Sequence, residues 1–196
     1  MNEYLYLGAA IAAALILLVF VSRKASRAAA KRRAIMNAQI EELKKENRLR
    51  EKYKVLTREL LEAAEMPELL EGMTSNIQTR LENAEDMRKA FETLPLSEQY
   101  IYALNYFIAD SRESLSEFFK KNGEPLISLA PEALDEIGSG LGDTVREMLA
   151  MYDESNEEVS YDRALVEKIN AEFAEALNPD KVYNQIKKYI LSQEFS

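Results

Sequence analysis

The sequence predicts an all-α protein: an N-terminal transmembrane helix, a long helical stem and a compact helical domain. Three observations predict it. An uncharged apolar run opens the chain. Neither glycine nor proline occurs in residues 23–65. Beyond that, apolar residues recur at steps of three and four, with no sustained two-residue alternation, so no β-sheet is expected.

The first element is the run from Tyr4 to Val21, 18 residues without a charge. That length is near the lower limit for spanning a bilayer, and Ser22 extends the expected span to 4–22. Tyr4 and Tyr6 suit the headgroup level at one end. A cleaved signal peptide needs a basic start, whereas this chain begins Met1, Asn2, Glu3. The positive charges follow the run instead: Arg23, Lys24, Arg27, Lys31, Arg32 and Arg33, with no acid among residues 22–33. The positive-inside rule places the N-terminus outside and the rest in the cytoplasm, in a single-pass topology at the cell membrane. The same six residues lie where anionic headgroups attract basic side chains by about 1 kcal/mol each.

The stem, 23–65, is rich in Ala, Glu, Lys, Arg and Leu, all strong helix formers. Met36, Ile40 and Leu43 follow coiled-coil spacing, but the next seam positions are Asn47, Arg50, Lys54 and Thr57, all polar. A second stripe, Leu49, Tyr53, Leu56 and Leu60, is rotated by about 120° from the first. The broken seam argues against dimerisation along the stem, and the second stripe is expected to dock on the body.

A connecting helix is expected over 66–95, with Pro67 in its first turn and Leu70, Met73, Ile77, Leu81, Ala84, Met87 and Phe91 on one face. Met73 and Met87 read as core filler. The compact domain, 96–196, continues with Ser97 as an expected N-cap and a stripe of Tyr100, Ile101, Leu104, Phe107 and Ile108. Asp110 and Glu113 have capping-box spacing ahead of Leu115, Phe118 and Phe119, and Asn122-Gly123 stops that helix. Pro131 is expected to open a short helix through Leu134 and Ile137, closed by Gly138, with Gly140 and Gly142 as a flexible joint. Val145, Met148, Leu149 and Tyr152 continue the pattern, and Asp153–Glu158 reads as a polar loop. Leu165, Val166, Ile169, Phe173 and Leu177 mark the next helix. Asn178-Pro179 caps the last, which carries Val182, Ile186, Tyr189 and Ile190.

Composition excludes much chemistry. The chain has no Cys and no His, which removes cysteine nucleophiles, histidine triads and thiolate or imidazole metal sites. GSGLGD, Gly138–Asp143, lacks the Lys-Ser/Thr of a phosphate loop. Asp153, Glu154, Glu157 and Glu158 lack calcium-loop spacing. Glu132, Asp135 and Glu136 share a helical turn, but nothing marks an apolar pocket to shift one of them for acid–base work. No cofactor and no enzymatic activity are expected. Charge is divided: residues 1–54 carry 12 basic and 5 acidic side chains, and residues 55–196 carry 13 basic and 29 acidic. The acidic body disfavours direct nucleic-acid binding and favours basic partners.

Several segments resemble the DNA-mimic-protein-like family, an all-helical bacterial domain, over about 99–195. They are ALNYFIADSRESLSEFFKKNG (Ala103–Gly123), with Phe118, Phe119, Asn122 and Gly123 in its turn, and ALDEIG, with Ala133, Leu134, Ile137 and Gly138. INAEFAEAL and VYNQIKKYILSQ resemble the closing helix pair. The resemblance implies a packed helical domain. For the family's name-giving member it implies an acidic surface that imitates DNA and occupies a DNA-binding regulator. The expected function is therefore a membrane-anchored cytoplasmic protein-interaction domain. The alternatives are a DNA mimic holding a basic DNA-binding protein at the membrane and a hydrolase using carboxylates with a divalent cation.

Overall fold

The computed structural model describes residues 31–153, 158–159 and 162–193. The expected membrane span, 4–22, and Arg23, Lys24 and Arg27 lie outside the described residues. Among the described residues no helix is long and apolar enough to cross a membrane. Lys31, Arg32 and Arg33 lie on the first described helix and are exposed.

The chain divides into two compact units, Met1–Asn47 and Arg48–Ser196. The described part of the first unit is helical and belongs to α1, 31–52, with every residue from Lys31 to Asn47 exposed.

The second unit is all-α in construction, with its helices gathered around one main apolar cluster. It begins with the last turn of α1. Then come α2 (Arg58–Ala63), α3 (Met66–Glu82), α4 (Met87–Glu92) and α5 (Leu96–Asp110). They are followed by α6 (Leu115–Lys121), α7 (Leu126–Glu136), α8 (Gly142–Leu149), α9 (Arg163–Ala176) and α10 (Pro179–Ser192). Phe107 lies at the centre, edge-on to Phe118 at 5.2 Å and to Phe173 at 5.8 Å between ring centroids. Phe118 and Phe119 are both fully buried, and Phe119 also meets the Tyr152 ring at 5.8 Å. A smaller cluster joins Ile77 and Leu81 of α3 to Phe91 and Tyr102.

Several local expectations are corrected. The stem is not one helix of 43 residues. α1 ends at 52, and α2 restarts after Thr57, whose side chain accepts a bond from the Leu60 N–H at 3.2 Å. At its other end, the Lys187 ammonium donates to the carbonyls of Glu62 (2.8 Å) and Ala64 (3.0 Å). The connecting helix also breaks. The Asn83 side chain folds back on the Thr79 carbonyl at 2.7 Å, and Asp86 starts α4 by accepting from the Lys89 N–H at 3.1 Å. Met87 is consequently exposed, whereas Met73 is buried.

Ser97 is not a cap: α5 starts at Leu96 with Pro95 in the cap position. Asp110 ends α5, and Ser114 caps α6 through the Glu117 N–H at 3.3 Å. Asn122 does stop α6. Its amide donates to the Phe118 carbonyl at 3.0 Å and to the Asp110 carboxylate at 2.9 Å. Pro131 lies inside α7 rather than at its start, because Leu126, Ile127 and Ala130 extend the apolar face by a full turn and more. Gly138 closes α7 at φ 69°, with Ser139 N–H bonded to the Leu134 carbonyl (2.9 Å) and Gly138 N–H to that of Asp135 (2.8 Å). Gly142 is a close approach rather than a joint: a Cβ there would lie 3.0 Å from the Pro131 carbonyl oxygen, and nearer still to the Asp135 carboxylate. A minimal antiparallel pair, Tyr152↔Val159 and Asp153↔Glu158, departs from the expectation of no strand at all.

Candidate functional site

The candidate site is built where the end of α1 crosses α3. Gly72 makes the crossing possible. A Cβ there would sit 2.9 Å from the Leu49 carbonyl oxygen and closer still to the Tyr53 ring. With hydrogen in its place, Leu49 and Tyr53 reach the α3 surface and are buried. Polar contacts hold the crossing. The Asn76 amide donates to the Arg50 carbonyl at 2.9 Å and to the Gly72 carbonyl at 3.0 Å. The Arg50 guanidinium donates to the Thr79 hydroxyl at 3.2 Å, and Lys52 pairs with Glu68 at 3.0 Å. The Lys52 ammonium also lies 4.8 Å from the Tyr53 ring centroid.

After this crossing the backbone turns through 53–57, and the turn leaves a cleft of about 520 Å³ between itself and α3. Met73, Ile77 and Leu56 supply apolar lining, Asn76 and Thr79 supply polar lining, and Val55 stands at the edge, 72% exposed. The far rim is the ion pair of Arg80 with Glu98. Tyr53 also lines the cleft, and its hydroxyl is buried. Lys54 also lines the cleft, and a volume of this size, mostly apolar with a few polar and charged groups, suits an inserted apolar side chain or a small apolar ligand.

The residues singled out in the sequence lie elsewhere. Phe118, Phe119, Ala133, Leu134 and Ile137 are buried packing positions, and Asn122 and Gly138 terminate helices. Gly123 has open space where a Cβ would stand. In INAEF, Ile169 and Phe173 are buried. Asn170 ties α9 to the start of α6, accepting from the Ser116 N–H (3.1 Å) and donating to its hydroxyl (2.8 Å).

The Glu132, Asp135 and Glu136 side chains are exposed. Asp135 is paired with Arg146, which also holds Asp143 at 2.6 Å. Burial raises the Tyr100 phenol above its ordinary range, and the Glu132 and Glu136 carboxylates push it the same way. Tyr102 is raised more strongly, first by burial and then by Tyr106. Both phenols keep their protons at neutral pH. Among the described residues no group of three or more acidic side chains is placed to hold a metal ion.

Sequence reasoning missed the cleft. The sequence signal that could have found it is Gly72 inside a helical pattern. Comparison with protein-family models, with curated proteins and with solved structures returns no match to this chain.

Proposed function

We propose that this chain is a single-pass, membrane-anchored interaction protein whose cytoplasmic body docks an apolar segment of a partner protein in the cleft beside α3. One observation carries the docking reading: a cavity of about 520 Å³, largely apolar in its lining, with a charged pair at its rim. Apolar floors with polar rims are how protein partners are commonly seated. The anchor reading is supported by the uncharged run Tyr4–Val21 and the six basic residues that follow it.

The test uses the full chain in its native membranes, with a photoreactive side chain at Lys54. Irradiation yields a discrete covalent adduct with a partner protein. Val55→Asp, at an exposed position, removes that adduct while thermal melting stays unchanged. An adduct pattern identical in the presence and absence of Val55→Asp contradicts docking at the cleft. A reporter fused after Ser196 tests the anchor separately and is active only in its cytoplasmic form. The family resemblance over 99–195 stays a proposal about the domain. A DNA-mimic complex would weaken steeply as salt is raised, whereas an apolar cleft would hold its partner.

A further inference from the structure

We propose that Met36, Ile40 and Leu43 of α1 pair with the same residues of a second copy of this chain, forming a short parallel two-stranded coiled coil beside the membrane. The proposal rests on the anchor reading above. The three side chains are 59%, 44% and 58% exposed, on a helix whose residues from Lys31 to Arg48 are all exposed. A helix of this length gains little from propensity alone, since most helical stability in proteins comes from packing an apolar face. Among the described residues nothing covers this face.

Its residue types name the occupant. Steps of four and three make Met36 and Leu43 d positions and Ile40 an a position. A β-branched residue at a with leucine at d favours two parallel strands. Asn47 takes the next a position, where a polar residue fixes register and strand number. At the flanks Arg32 faces Asn37 of the second copy and Gln39 faces its Lys44, whereas Arg33, at the a position before Met36, would face its own counterpart, so the seam begins at Met36. One heptad later Glu46 would face Glu51, and Arg50 is already engaged with Thr79. The seam therefore ends where the second compact unit begins.

So short a seam associates weakly in solution. Two copies anchored in one bilayer are held parallel and at high effective concentration, which lets a weak contact form. The broken heptad pattern argues against pairing along the whole stem, and it leaves this segment as the part that pairs.

The chain has no cysteine, so single cysteines report without background. Met36→Cys, Ile40→Cys and Leu43→Cys place thiols on the seam, and Ala38→Cys and Lys45→Cys place them on the opposite face. The full chain is oxidised mildly in native membranes. The expected result is a covalent homodimer at the seam positions, about tenfold weaker on the opposite face, where the thiols are beyond disulfide reach. Equal cross-linking at all five positions, or none on the seam, overturns the proposal. A stripe lying on lipid gives the second of these outcomes, with seam cysteines shielded from a water-soluble thiol reagent. If the chain is recovered as a soluble protein, seam-specific cross-linking sustains the dimer and removes the anchor, and its absence removes both.

Discussion

The stem carries two apolar stripes with opposite fates. Met36, Ile40 and Leu43 are exposed, whereas Leu49 and Tyr53, a few residues on, are buried in the second unit. Propensity does not separate them, since both sit in one run of strong helix formers. What separates them is the receiving surface. Gly72 lowers α3 where Leu49 and Tyr53 arrive, and Asn76, Thr79 and Glu68 supply partners for the polar groups that come with them. An apolar stripe is a capacity for burial, and the groove opposite decides whether it is used.

The largest expected effect lies in the aromatic centre of the second unit, in the same apolar cluster as Leu49 and Tyr53. Phe118→Ala and Phe119→Ala each remove a fully buried ring and should cost about 3–5 kcal/mol by thermal or denaturant unfolding. If both variants melt like wild type, the packing account of the body fails.

Gly72→Ala should come next, at about 1–3 kcal/mol. The methyl group meets the Leu49 carbonyl oxygen, which is backbone and yields little, as well as the Tyr53 ring. The usual gain from replacing a helical glycine runs the other way, so a stabilised Gly72→Ala would show that the crossing is loose. Asn76→Ala leaves the Arg50 carbonyl without its side-chain donor and should cost about 1 kcal/mol, read in the same unfolding experiment. Serine at Met36, Ile40 or Leu43 should leave melting of the body within about 0.5 kcal/mol of wild type, because these side chains are exposed.

The tyrosines give a pH counterpart inside the body. Tyr102 has its phenol pKa raised by burial, so the neutral form is favoured in the fold. Its stabilising contribution is complete below the unfolded value of about 10 and declines as pH rises through the folded value. Tyr102→Phe should therefore flatten the loss of stability above about pH 10. An unchanged alkaline profile would contradict the burial.

How much of this was legible follows the same division. The second stripe could be read from Leu49, Tyr53, Leu56 and Leu60, and its docking on the body followed from the break in the first seam at Asn47, Arg50, Lys54 and Thr57. The helix class of the body was legible from the three- and four-residue spacing. The breaks were not. Tyr53–Leu56 contains no glycine or proline, and the chain turns there because tertiary contacts hold α1 on one side and the Thr57 cap restarts a helix on the other. Pro131 misled because proline favours the first turn, yet the apolar face of Ile127 and Ala130 outweighs its missing N–H. Ser114, with Glu117 three residues on, had the better capping-box sequence than Asp110, and it is the cap the structure uses. The cleft depends on Gly72 meeting a residue 19 positions earlier, and pairings of that kind leave no periodic trace.

The central claim is that the folded body begins inside α1, at Arg48, and not at the helix end. Hydrogen exchange of the full chain, resolved to single amides, tests it most directly. The Tyr53 N–H, bonded to the Leu49 carbonyl at 3.0 Å, and the amides of the preceding turn should exchange with the protection of the α3 amides around Met73. Exchange of those amides as fast as in the loop before Thr57, with α3 still protected, would contradict it.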